Sequence, residues 1–256
     1  MTTAAIIPAR WASSRFPGKP LFPIRGKPLI QHVWERCLKA KTLSQIVIAT
    51  DDMRIAETAF DFGAEVSLTS PRHPSGTDRV AEVAAGLRRF RHIINVQGDE
   101  PAVDPRLIDR IAQTLERYPK LEMVTAGCPF ETESDALNPN NVKVVTALDG
   151  RALYFSRSLI PFERDKSHRQ TPGSRPLWHI GIYGYRRDFL LQFVRWKPTP
   201  LENTEKLEQL RALEHGATIH VVRTRHHALG VDTPEDVPRA EAALAPRGRR
   251  RQRSTH

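Results

Sequence analysis

Apolar and polar positions along the chain repeat with two alternating periods. Ala4-Ala5-Ile6-Ile7 is a continuous apolar run, the pattern of a strand covered on both faces. After a loop, Leu29, Ile30, Val33, Trp34, Cys37 and Leu38 recur at helical spacing. The pattern then predicts a strand over 45–50, a helix over 53–62 stopped by Gly63, and a strand over 65–68. A helix over 77–88 and a strand over 92–96 follow, and Leu107, Ile108, Ile111, Ala112 and Leu115 mark one helical face after Pro105. The second half is less regular, with strands expected over 141–147, 152–155, 179–186 and 219–223, and a helix over 201–215. A polar, Pro/Gly-containing loop spans 166–176.

Strands alternating with helices imply right-handed crossovers and an α/β fold, a mixed, mostly parallel sheet with helices on both faces. One domain is expected over residues 1–245, with a small inserted subdomain at roughly 130–190. At 256 residues the chain buries roughly three quarters of its unfolded surface and needs no disulfide or metal to hold it. No apolar run approaches the ~18–20 residues that span a bilayer, and the start lacks the basic segment of a secretory leader. Cys37 and Cys128 are too far apart for a metal motif and suit buried thiols in a reducing cytoplasm.

The net charge of +10 suggests nucleic-acid binding until its distribution is examined. Arg247, Arg249, Arg250, Arg251 and Arg253 fall in a C-terminal segment, 246–256, whose composition reads as a disordered basic tail. The remaining body lacks the mixed aromatic and basic patterning of single-strand binders and any DNA-reading motif. A basic nucleic-acid-binding module is therefore the weaker reading. If it were right, DNA affinity would survive removal of the tail.

In open α/β sheets, ligands bind beyond the carboxyl ends of the strands. After the first strand, Arg10, Arg15 and Lys19 share a loop stiffened by Pro8, Pro17 and Pro20, without any glycine-rich phosphate signature. Three cations on one such loop suit a polyphosphate, although an exposed basic loop would look the same. Beyond the strand at 92–96, Gly98 permits close backbone approach and Asp99 is placed for a cation such as Mg²⁺, or for an ordinary turn. Near the C-terminus, Thr233, Pro234, Glu235 and Asp236 are explained as a helix start. Asp232, one residue ahead of the cap, is not. A second metal carboxylate would explain it if the fold brings it beside Asp99.

Ser75, Gly76 and Thr77 open a helix, where they serve either as a plain cap or as a cradle for a base or ribose. His179, Tyr183 and Tyr185 lie on an aromatic strand whose glycines, Gly181 and Gly184, would let a flat or polyol ligand approach. Glu205, Glu208 and Gln209 share a polar helical face, a pattern that is ordinarily solvated. No HExxH, GxSxG or Cys-x-x-Cys is present, which leaves zinc hydrolysis and serine acyl transfer without support.

Five motifs in order carry a resemblance: ARxxSSRxPGKPL at 9–21, NVQGDEP at 95–101, YFSR at 154–157, HIGIYGY at 179–185 and GVDTPED at 230–236. Together they resemble the 3-deoxy-manno-octulosonate cytidylyltransferase (CMP-Kdo synthetase) family over about residues 3–242. The likeness implies a Rossmann-type fold of the nucleotide-diphospho-sugar transferase kind, a homodimer formed through the inserted subdomain, and a cytoplasmic enzyme of lipopolysaccharide synthesis. It implies the reaction of CTP with Kdo to give CMP-Kdo and pyrophosphate, with Mg²⁺. On the matching positions, Arg10, Arg15 and Lys19 would hold the triphosphate, with Lys19 facing developing negative charge. Asp99 and Asp232 would carry the metal, and Ser75, Gly76, Thr77 and Gln97 would surround the cytidine. Arg157 would meet the Kdo carboxylate, while His179, Tyr183, Tyr185, Glu208 and Gln209 would meet its hydroxyls. Trp11 and Phe16 stand where the family often has Tyr and Leu. A related acid sugar, 8-amino-Kdo or a sialic acid, is the neighbouring alternative.

Overall fold

The computed structural model describes residues 3–12, 16–164, 175–227 and 229–245. Its centre is a sheet in the order β11-β7-β10-β6-β1-β4-β5, from β11 (Ile219–Arg223), β7 (Met123–Pro129), β10 (Leu177–Arg186), β6 (His92–Asn95), β1 (Thr3–Ala9), β4 (Gln45–Thr50) and β5 (Glu65–Leu68). β1 pairs in parallel with both β4 and β6, β4 with β5, and β7 with β11. β10 runs antiparallel to β6 on one side and β7 on the other, and β2 (Pro23–Ile24) and β3 (Lys27–Pro28) pair apart from this sheet as a short ribbon. The sheet is mixed and mostly parallel, as the alternation of elements predicts.

Period-two alternation in β1 sorts its side chains between two cores. Ala5 and Ile7 join Ile30, Val33, Ile55, Ile108 and Ile111 on the face covered by α1 (Leu29–Cys37), α2 (Met53–Asp61) and α4 (Pro105–Arg117). Ala4 and Ile6 join Val80, Phe189, Phe193 and Leu210 on the face covered by α3 (Gly76–Gly86), α6 (Arg187–Phe193) and α8 (Gln209–Glu214). Cys37 and Cys128 are both buried and unpaired.

Between β7 and β10 the chain forms α5 (Glu133–Leu137) and a hairpin of β8 (Lys143–Thr146) and β9 (Ala152–Ser156). β8 pairs with β10 at Leu177 and Trp178, below the stretch that β6 occupies. Thus β10, although inside the segment expected to be inserted, is itself a central strand. The helix expected over 201–215 is two helices, α7 (Pro200–Glu205) and α8, broken at Lys206, whose φ of 53° is left-handed. Most of the polar loop expected over 166–176, up to residue 174, lies outside the described residues, as do Arg15 and the tail from 246.

Candidate active site

The loop after β1 is held by its own contacts. Phe16 is buried and meets Phe22 edge-on, and Gly18 N–H donates to the Trp11 carbonyl at 3.1 Å. Gly18 has a φ of 71° and lies so close beneath the Trp11 indole that a Cβ there would sit 3.0 Å from the ring. Arg54 stacks on Trp11, its guanidinium carbon 3.4 Å from the ring centroid. The chain then enters a short 3₁₀ turn, Lys19–Leu21, with Pro20 buried. The backbone at Lys19 is thereby held in place.

The Lys19 Nζ lies 2.7 Å from Asp99 Oδ2 and 3.6 Å from Asp232 Oδ1. Both carboxylates converge on one ammonium, although 133 positions separate them in sequence. The backbone explains how. Val96 N–H donates to Ile6 O, so the chain leaving β6 keeps following β1. Gly98 then crosses so close to β1 that a Cβ on it would stand 2.6 Å from the Pro8 carbonyl oxygen. Val231 N–H donates to the Asp99 carbonyl at 2.9 Å, which ties the C-terminal loop to the same spot. The Asp232 and Thr233 N–H groups both donate to Asp236 Oδ2, so the helix cap orients Asp232. Arg10 follows directly on β1 and is half-buried at the same strand ends. Gln97 is also half-buried, and Gly181 of β10 faces its side chain.

A second group gathers at the start of α3. Ser75 caps the helix, accepting from Asp78 N–H at 3.1 Å. Its hydroxyl lies within donating distance of Asp78 Oδ2 (2.6 Å) and Glu208 Oε1 (3.0 Å), and Thr77 Oγ1 donates to Glu208 Oε2 at 2.5 Å. The left-handed turn at Lys206 swings Glu208 onto α3. Arg211 clamps α8 to α7 through two bonds to Glu202, of 2.5 and 2.8 Å. Burial raises the Glu208 carboxyl above its ordinary range, and the two hydroxyls oppose that shift. Glu208 is therefore an internal carboxyl, where sequence periodicity suggested a solvated face. Gly76 makes ordinary contact distance with Pro8 and needs no special clearance.

The aromatic strand β10 supplies the third group. Tyr183 donates to Gln209 Oε1 at 3.3 Å, and Gln209 Nε2 is buried with no protein partner among the described residues. His179 is buried against Phe155 and Tyr183. Burial pushes its imidazole down to about 3, so it is neutral at any ordinary pH. Tyr185 is only 1% exposed and stacks on Tyr183 and Phe193, and burial raises both phenols well above their usual range. Of the two glycines, Gly184 serves packing: a Cβ there would meet Ile111 at 2.5 Å. Arg157 stands apart from Lys19 and the aspartates. Its guanidinium donates to the carbonyls of Glu205 (2.8 Å) and Pro139 (3.1 Å).

Motif reading passed over Glu100, which is buried beside Asp99. Burial, helped by the Asp99 charge, pushes its carboxyl up to about 8. It also passed over the Trp11 platform, and over Thr125 beneath His179. Among the described residues no group of three or more His, Cys, Asp or Glu could hold a metal ion. The two carboxylates that do converge, Asp99 and Asp232, meet on the Lys19 ammonium.

A family model described as cytidylyltransferase matches residues 4–219. A curated relative from Geobacter sulfurreducens, named 3-deoxy-manno-octulosonate cytidylyltransferase, is 51% identical over 243 residues, covering 93% of this chain and 97% of its own. The chain belongs to the 3-deoxy-manno-octulosonate cytidylyltransferase family. A Myxococcus xanthus protein of the same name is 49% identical, with 96% and 98% coverage. Among solved structures, CMP:2-keto-3-deoxy-manno-octonic acid synthetase complexed with CTP superposes with a TM-score of 0.89 at 39% identity, covering 94% of this chain and 98% of that one. The fold extends further: 4-diphosphocytidyl-2C-methyl-D-erythritol synthase from Anaerococcus prevotii shares it at 13% identity and a TM-score of 0.61, over 94% and 95% of the chains.

Proposed function

We propose that this 3-deoxy-manno-octulosonate cytidylyltransferase family member transfers the cytidylyl group of CTP to Kdo, releasing pyrophosphate. The convergence of Lys19, Asp99 and Asp232 at the strand ends carries the reading, in a chain half identical to relatives named for that activity. The anomeric oxygen of Kdo attacks the α-phosphorus while the bond to the β-phosphate oxygen breaks. Such a displacement asks the protein mainly for alignment and charge neutralisation. Arg10, Arg15 and Lys19 are assigned to the triphosphate, with Lys19 nearest the charge that grows on the leaving group. Ser75, Gly76, Thr77 and Gln97 are assigned to cytidine. Arg157, His179, Tyr183, Tyr185, Glu208 and Gln209 are assigned to Kdo.

A divalent cation fits the pair of carboxylates. In this structure the Lys19 ammonium stands in for a cation between them, and two carboxylates completed by phosphate oxygens and water are a donor set that Mg²⁺ accepts. When bound by Asp99, Asp232 and the nucleotide, Mg²⁺ would neutralise phosphate charge and favour ionisation of the attacking hydroxyl. Lys19 would then turn from the aspartates toward the phosphates.

A homodimer is part of the proposal. Large apolar side chains are exposed at Leu137, Leu148, Leu153, Leu159 and Phe162, all within or beside the β8–β9 hairpin, and these suit a second copy of the chain. The cytoplasm, where nucleoside triphosphates are made, is the proposed compartment, and buried unpaired thiols agree with it. Among the described residues no helix is long and apolar enough to cross a membrane.

The test is pyrophosphate release by the purified protein. Turnover is expected only when CTP, Kdo and Mg²⁺ are all present. Faster turnover with 8-amino-Kdo or a sialic acid would move the substrate, and no release with any acid sugar would overturn the reading.

A further inference from the structure

The ladder between β7 and β10 is interrupted beside His179. Ile180 pairs with Ala126 and Gly184 with Val124, so Gly181, Ile182 and Tyr183 stand opposite Thr125 alone. The bulge frees carbonyls from the ladder, and the Thr125 side chain answers them. Its Oγ1 lies 3.1 Å from Ile180 O, 2.9 Å from Ile182 O and 3.0 Å from His179 Nε2, all in a fully buried setting.

Counting protons decides the direction of these bonds. A hydroxyl has one proton to donate, and carbonyls can only accept. Left without a donor, buried carbonyls are costly, so the Thr125 proton goes to the bulge. The contact with His179 then requires the imidazole to be the donor, with its proton on Nε2. Nδ1 consequently carries the lone pair. Among the described residues no protein group bonds to Nδ1, which leaves it available as an acceptor.

We propose that Thr125 is a positioning residue: it fixes His179 in the Nε2–H tautomer and thereby presents Nδ1 as a hydrogen-bond acceptor to a hydroxyl of the sugar acid. The second half rests on the reading of His179 as a contact of that substrate. The arrangement gives the pocket a direction. An acceptor in this largely buried setting receives a hydroxyl and is left unsatisfied by an analogue that lacks the proton at that position.

The tautomer is read by ¹⁵N NMR of the histidine side chains, with the His179 signals assigned by their loss in His179→Phe. Pyrrole-type Nε2 and pyridine-type Nδ1 are expected in the wild-type protein, and the reverse pattern overturns the proposal. In steady-state assays, Thr125→Val is expected to raise KM for Kdo about tenfold, the value of one hydrogen bond, while kcat and KM for CTP change less than about threefold. Thr125→Ser, which keeps the hydroxyl, should return KM to near wild type. Equal effects of Val and Ser would overturn the role of the hydroxyl. If His179→Phe leaves KM for Kdo unchanged while the tautomer is as expected, the tautomer lock stands and the sugar contact through His179 fails.

Discussion

Gly98→Ala tests whether the approach of two strand ends sets the active geometry. The added methyl would stand 2.6 Å from Pro8 O and 3.2 Å from Ile30 Cδ1. Ile30 is a side chain and can turn aside, whereas Pro8 O is backbone in a parallel ladder. Reaching ordinary contact needs the two segments to part by about 0.8 Å, since carbon and oxygen rest no closer than about 3.4 Å. Asp99 follows Gly98 and Arg10 follows Pro8 by two residues, so the parting moves both groups apart. Overpacking of this kind costs about 1–3 kcal/mol. In a chain of this size that lowers Tm by about 2–12 °C. Displacing a catalytic carboxylate by most of an ångström lowers turnover by about 10–100-fold. Thermal unfolding and pyrophosphate release from CTP, measured on the same preparation, read the two effects. Gly86→Ala is the control: its Cβ would meet nothing within 4 Å, and it should be neutral or slightly stabilising. A Gly98→Ala protein with wild-type Tm and turnover within twofold of wild type would refute the argument.

Asp99→Asn and Asp232→Asn should each cut turnover at least about 100-fold while leaving Tm within a few degrees, because both side chains are partly exposed and pair with a lysine rather than with the core. Turnover within tenfold of wild type in either would remove that residue from the reaction. The His179 imidazole is held neutral down to about 3, whereas an unfolded one protonates near 6.5. Between those values the unfolded state binds the extra proton, so His179 makes stability fall as pH drops, by about 1.4 kcal/mol per pH unit. Urea titrations of His179→Gln should show a shallower loss from pH 6.5 to 4 than wild type, and parallel curves would contradict the burial. Phe162→Asp combined with Leu153→Glu should shift sedimentation from dimer to monomer without loss of helix or strand content; an unchanged sedimentation coefficient would place the interface elsewhere.

Where local pattern and tertiary setting agree, the elements were legible in the residues. β4, β5 and β11 have the expected borders: a continuous apolar run marks β4, and Gly63 and Gly216 break the chain shortly before the short stretches that form β5 and β11. β7 had no such signal. Met-Val-Thr-Ala-Gly-Cys-Pro is buried on both faces, so it shows no alternation, and it contains too few β-branched residues to declare itself. Lys206 gave no warning of a left-handed turn, because lysine favours helix and only the packing of Leu207 and Glu208 against α3 and its neighbours overrides it. That single break turned a face read as solvated into the half-buried Glu208 cluster. Asp232 was legible for the opposite reason, since capping explained all its neighbours and left it over. Thr125 could not be found from spacing, because its role exists only where a bulge in another strand lies opposite it.

The placement of β10 has a consequence for how the chain comes to be assembled. β5, β4, β1 and β6 can pair as soon as residue 95 has been made, and β7 is complete by residue 129, yet neither group reaches the other. They are joined by a strand that ends at residue 186 and enters between them, against the direction of both neighbours. Until then β6 and β7 each present an open edge, a template for pairing with other chains during synthesis. Asp232 arrives later still. A ribosome-bound chain that has reached residue 186 therefore holds Lys19 and Asp99 but not Asp232, and under the proposed role of that pair its site closes only after the whole sheet has been joined.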